Sequence, residues 1–161
     1  MTSSPQASID VIEADLDDDA QVDILFEILD AYARGPGGQN APLGNLAREN
    51  LGRGLREHPM AFVLFGRIDE KIVGAAVCVF SFSTFAGRPS VNLHDFSVLP
   101  EAQGRGVGTA LLEELERRAR EKNAAKITLE VVSTNESATR LYERFGFELG
   151  DPATYFMTRR L

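Results

Sequence analysis

The chain has 161 residues, 43% of them hydrophobic and 25% charged, which suffices for one well-buried core and is too short for two ordinary domains. Its formal net charge is −7, and nine acids stand between Asp10 and Asp30 before the first basic residue, Arg34; nucleic-acid binding, which needs a basic patch, is disfavoured. No apolar run approaches the ~20 residues of a membrane span, the polar opening lacks the features of a signal peptide, and the single Cys78 excludes an internal disulfide and a multi-cysteine zinc site, so a soluble, cytoplasmic domain without a metal is expected.

Ser8–Glu13 alternates weakly and reads as a strand. Asp17–Ala33 then places Val22, Leu25, Phe26 and Leu29 at helical spacing. Gly35-Pro36-Gly37-Gly38 breaks that helix, and Leu43, Leu46, Ala47, Leu51 and Leu55 resume the stripe in a second one, against the low helix propensity of Gly44, Gly52 and Gly54. Ala61–Ile68 and Lys71–Phe82 are β-branched and aromatic runs joined by Asp69-Glu70, a hairpin signature. Val91–Leu99 is a third strand of this group. From there strand and helix alternate. Gly106–Lys122 carries Val107, Ala110, Leu111, Leu115 and Ala119 on one stripe, with four cations near its end that complement the helix dipole. Ala125–Val132 is a buried-type strand, Ser133-x-x-Glu136 a capping box ahead of a last helix, and Phe147–Leu161 is expected to complete the sheet with a hairpin around Asp151-Pro152.

The segment Gln103-Gly104-Arg105-Gly106-Val107-Gly108-Thr109 sits between a strand and a helix. Glycines at a helix N-terminus let backbone N–H groups converge on an anion that the helix dipole also favours, so this turn suits a pyrophosphate. A P-loop is excluded because Gly108 is followed by Thr109 and Ala110 rather than by Lys and Ser or Thr. A dinucleotide fingerprint beginning at Gly104 fails at Thr109 and comes after about a hundred residues of antiparallel character, although Glu130 lies at the distance of a ribose acid.

Gln103-x-x-Gly106-x-Gly108 after Val98-x-Pro100 resembles the pyrophosphate signature of the GNAT acetyltransferases. Leu129-Glu130-Val131, Asn135, Ala138 and Leu141-Tyr142-Glu143-Arg144-Phe145-Gly146-Phe147 are similar to that family's second block. The two blocks cover roughly residues 91–149 in the family's order. The resemblance implies an α/β fold of mixed, α+β-like character over a single domain, residues 1–161. Its centre is a strongly twisted, mostly antiparallel sheet flanked by about four helices. A splayed parallel pair, Asp95–Leu99 and Ile127–Val132, would hold acetyl-CoA.

The family pattern also implies roles. Phe96 and Val98 would bind the pantetheine arm as an added strand, with the Val98 N–H the foremost oxyanion donor. Gln103, Gly104, Arg105, Gly106, Val107, Gly108 and Thr109 would surround the pyrophosphate, and Asn135 would contact the coenzyme or simply start the last helix. Tyr142 would protonate the departing thiolate. An amine near pKa 10 must lose a proton before it attacks; Glu130 is the first candidate base, in a position similar to that of the glutamate in the ribosomal-protein alanine acetyltransferases. Asp95 is the second, with His94 beside it: the surrounding stretch resembles diamine and polyamine acetyltransferases, which carry two acids where this chain has His94-Asp95. The activity implied is acetyl transfer from acetyl-CoA to a primary amine, with a CoA-binding sensor as the alternative. Partners implied are a small-molecule or peptide amine, the acidic surface suiting a cationic one, and a second copy in a homodimer; Ala31–Asn45 and Ser81–Ser90 would shape the acceptor pocket.

Overall fold

Period-two alternation in the central strands sets the architecture. In the computed structural model, which describes residues 7–161, β2 (Ala61–Ile68) and β3 (Lys71–Ser83) present Leu64, Ala76 and Cys78 to one side and Val63, Phe65, Ala75 and Val77 to the other. A sheet apolar on both faces must be covered on both. One face receives α1 (Asp19–Arg34) and α2 (Asn45–Glu57), through Leu25, Ile28, Leu29 and Leu51; the other receives α3 (Val107–Glu121) and α4 (Glu136–Arg144), through Leu111, Leu112, Leu115 and Leu141. The three α3 leucines are at most 2% exposed, and burying each contributes roughly 1.5–3 kcal/mol.

The sheet has the order β1-β2-β3-β4-β5, with β1 at Ile9–Glu13, β4 at Arg88–Val98 and β5 at Ile127–Leu129. The first three pairings are antiparallel and the last is parallel. Asp69 and Glu70 both take positive φ, +47° and +67°, the backbone of a two-residue turn whose twist matches the strands it joins. Gly52 of α2 has a packing reason: a Cβ there would lie 2.8 Å from Val22 of α1, so the close approach of the two helices outweighs propensity at that position, whereas a Cβ on Gly54 would meet open space. No helix among the described residues is long and apolar enough to cross a membrane.

Three expectations are corrected. The strand expected over Ala125–Val132 is paired only at Ile127–Leu129, because residues 130–132 leave β4 beyond that point. The hairpin expected over Phe147–Leu161 is not formed: Phe147 packs on Tyr142, residues 148–161 are exposed without helix or strand, and β5 offers a returning strand only three residues of ladder. The last helix is capped by Asn135, whose side chain accepts from the Ala138 N–H at 3.2 Å, while Ser133 lies in the preceding turn. A capping box from Asn135 would need an acid or amide at Ala138, so the Ser133–Glu136 box does not exist.

Candidate active site

The site is opened by a departure of two strands and aimed by one extra residue. The parallel ladder pairs Val91 with Ile127, Asn92 with Thr128 and Leu93 with Leu129, then stops, while β4 runs on to Val98. On the other edge of β4, Cys78 pairs with Leu93 and Val77 with Asp95, so His94 is the extra residue of a β-bulge. Before the bulge the Val91 N–H faces β5, donating to Lys126 O at 3.0 Å; beyond it the Leu99 N–H faces β3, donating to Val73 O at 2.8 Å. Counting back in twos from Leu99, the backbone groups of Phe96 and Val98 face the gap left by β5. The same reset keeps the Phe96 and Val98 side chains with Leu93 in the core under α3 and carries Asp95 to the opposite face, near Tyr32 at the end of α1.

Beyond Val98 the chain makes a single 3₁₀ turn, Pro100–Ala102, and enters α3 through the glycines. Gly104 and Gly106 have φ of +72° and +94°, a region that side chains disfavour. Gly106 caps α3 with no side-chain acceptor, and the Ala110 N–H is the first to reach back, to Gly106 O at 3.0 Å; the N–H groups of Val107, Gly108 and Thr109 therefore have no intrahelical acceptor. Gly108 serves packing instead: a Cβ there would lie 3.2 Å from Leu141 and 3.5 Å from Phe96, so its absence lets α3 close on α4 and β4. Gln103 donates its side-chain N–H to Val98 O at 3.0 Å, tying the turn to the end of the strand. Val107 buries its side chain in the core at 1% exposure.

These elements bound a cleft of about 460 Å³ lined by Tyr32, Phe96, Val98, the turn from Ala102 to Thr109 without Arg105 and Val107, Asn135 and the inner face of α4. Arg105 is exposed and outside this lining. The sequence alone does not point to the α4 contribution of Ser137, Arg140 and Arg144, although the spacing of 3, 4 and 7 already puts them on one helical face. Arg140 pairs with Glu136 at 3.2 Å, and Arg144 donates to Arg140 O at 3.3 Å. A larger hollow of about 1030 Å³ lies by Phe62, Phe80 and Phe82, but its Arg118 is paired with Glu13 and Glu114, and it lacks both the glycine turn and the strand edge.

Tyr32, which lines the cleft, lies within electrostatic reach of Asp95 and of Tyr142. Tyr142 is 7% exposed, its ring set between Phe96 and Phe147 at centroid distances of 5.9 and 5.7 Å; burial, with a smaller effect of Tyr32, pushes its phenol up to about 12. Tyr32 is also raised, by burial first and the charge of Asp95 second. Burial raises the carboxyl of Asp95, and His94 opposes it. Glu130, just past β5, is exposed; like Asp95 and Tyr142 it is not among the residues lining the cleft.

A sheet covered on both faces, a strand pair that parts beside a glycine-capped helix and a buried phenol are thus brought together around one cleft. The chain belongs to the acetyltransferase (GNAT) family, whose model matches residues 24–147. A thialysine N-epsilon-acetyltransferase from Bos taurus is 33% identical over 75 residues, 47% of this chain and 44% of that protein, so the match spans less than half of the relative's length. Among solved structures, a ribosomal-protein-alanine N-acetyltransferase from Brucella melitensis biovar Abortus 2308 superposes with a TM-score of 0.73 at 20% identity, over 94% of this chain and 100% of that one. A possible acetyltransferase from Clostridium difficile 630 gives 0.79 at 16% identity, over 95% and 99%.

Proposed function

We propose that residues 1–161 act as one N-acetyltransferase domain that moves an acetyl group from acetyl-CoA to a primary amine of a small molecule or peptide, by direct attack with both substrates bound. The carrying observation is the opening of the β4–β5 ladder after Leu93 and Leu129 beside a helix that starts at a left-handed glycine. Acetyl-CoA supplies an activated thioester, and the residues fit it: strand edge for the extended arm, side-chain-free turn and α4 arginines for the phosphates. Phe96 and Val98 hold the arm, and the Val98 N–H donates to the oxygen on which charge develops. Gln103, Gly104, Gly106 and Gly108 shape the phosphate turn; the Val107, Gly108 and Thr109 N–H groups donate to it, with Arg105 at its solvent side. Asn135 and Arg140 line the same channel.

Asp95 takes the proton from the incoming ammonium. Its half-buried position and raised carboxyl bring its affinity for a proton closer to that of the amine than an exposed acid's would be, and for this reason it stands ahead of Glu130, which lies in solvent. Tyr142 gives a proton to the departing thiolate and, with its pKa near 12, is fully protonated at neutral pH. The bovine and Brucella proteins are named for different amines, a side-chain amine and a protein alanine, which supports the amine class and leaves its member open. The acidic surface suits a cationic acceptor, the cytoplasm is the compartment in keeping with the sequence, and a homodimer is compatible with the reading.

The test is a thiol-release screen with acetyl-CoA against alkylamines, polyamines, aminoglycosides and peptide N-termini, beside thermal midpoints with acetyl-CoA, ATP and NAD. Release with at least one amine and protection by acetyl-CoA alone are expected. Protection without release for any amine turns the reading into that of a CoA-binding sensor, and protection by ATP or NAD instead removes it.

A further inference from the structure

Asp95, the base of the reading above, does not itself line the cleft, but the residue two places further along its strand does: Ser97, between Phe96 and Val98. The pairing of β4 with β3 sets Asp95 opposite Val77 and Ser97 opposite Ala75, and both of these partners belong to the core under α1 and α2. Directly opposed residues share a face, so Asp95 and Ser97 both point to the α1 side of the sheet, about 7 Å apart along the strand. Ser97 is only 7% exposed, and its hydroxyl makes no hydrogen bond among the described residues. No side-chain oxygen or nitrogen that is shut off from solvent lacks a partner among those residues, so the Ser97 oxygen opens into the cleft. The other hydroxyls of the lining are committed elsewhere: Thr109 lies in the first turn of α3, Ser137 lies in the first turn of α4, and Tyr32 donates to Gly37 O at 2.7 Å.

We infer that Ser97 is a catalytic residue that carries the proton of the acceptor ammonium from the cleft to Asp95. This rests on the acetyltransferase reading above and deepens it. One N–H bond of the ammonium breaks and its proton passes to Ser97 Oγ, while the serine's own hydroxyl proton passes to a carboxylate oxygen of Asp95, directly or over one water. The amine is left neutral, with its lone pair free to form the bond to the thioester carbon; Ser97 ends unchanged, and Asp95 holds a proton that it gives to solvent before the next turnover. The charged or titratable groups facing Asp95 are His94 on its own strand and Tyr32 from α1. Ser97 directly precedes Val98, whose N–H serves the developing oxyanion, so the relay stands beside the carbon under attack.

The experiment uses the full chain with an amine found in the release screen. Ser97→Ala removes a hydroxyl that bonds no protein group, so the thermal midpoint and the Kd for acetyl-CoA, by calorimetry, should match the parent, while kcat/KM at pH 7 is expected to fall by at least about tenfold. The deficit should close as the pH approaches the pKa of the amine, near 10 for an alkylamine, because an amine already neutral in solution needs no relay. Ser97→Thr, which keeps the hydroxyl, should retain most of the activity. Ser97→Ala added to Asp95→Asn should cost nothing further, since the two groups act as one unit. A deficit that is the same at every pH, no deficit at all, or a full additional loss in the double variant overturns the relay and leaves the acetyltransferase reading standing. A parent chain that releases thiol with no amine overturns both.

Discussion

Replacing Tyr142 with phenylalanine tests the chemistry with the least disturbance to the fold. The ring contacts to Phe96 and Phe147 survive the change, and the hydroxyl makes no hydrogen bond among the described residues, so the thermal midpoint at pH 7 should move little. A phenol that protonates a leaving thiolate typically contributes ~10²–10⁴-fold to the rate, and because that contact strengthens mainly in the transition state, the loss falls on kcat and spares the Kd for acetyl-CoA. Burial adds a signature independent of activity. The folded-state phenol is raised from 10 to about 12, so below pH 10 it has no effect on stability. As pH rises from 10 to 12 the unfolded chain ionises first, and Tyr142 costs the parent up to about 3 kcal/mol; the variant lacks that contribution and keeps only the alkaline loss due to the raised phenol of Tyr32. The assay is kcat by thiol release at saturating substrates, coenzyme Kd by calorimetry, and urea unfolding at pH 8 and pH 11. A kcat within about twofold of the parent removes Tyr142 from the mechanism, and an alkaline loss of stability in the variant as large as the parent's refutes the buried-phenol account.

Asp95→Asn should lower kcat/KM strongly while raising the thermal midpoint at pH 7, because a carboxyl raised by burial costs stability wherever it is ionised; the gain should shrink as pH falls and vanish below about 3.8, and an active variant or one with no gain contradicts the assignment. Glu130→Gln should leave the pH profile of kcat/KM in place, and a flattened alkaline rise would return the base to Glu130. Gly38→Ala should destabilise the chain by roughly 1–3 kcal/mol, since its Cβ would fall 2.4 Å from Tyr32 O and 2.7 Å from Ala33; a midpoint within a degree of the parent in differential scanning calorimetry would show that the loop relaxes freely.

Local chemistry made much of the molecule legible in the sequence. The β-branched and aromatic runs Ala61–Ile68 and Lys71–Phe82 announced a hairpin, the apolar stripe announced α3, and glycines at 104, 106 and 108 marked the turn, since positive φ and close approach each demand that residue type. What sequence could not supply depends on partners distant along the chain. The bulge at His94 exists only through the register of Val77 and Cys78 across the sheet, yet it decides that Phe96 and Val98 face the gap and that Asp95 turns toward Tyr32. Strand propensity cannot tell that residues 130–132 leave β4, so it extended the strand to Val132 although the ladder ends at Leu129. The same limit produced the unformed terminal hairpin, whose apolar residues read as strand although the ladder available beside them is three residues long. Tyr32 and Arg140 likewise became visible as site residues only when α1 and α4 met across the cleft, because a contact between segments a hundred residues apart leaves no spacing to read.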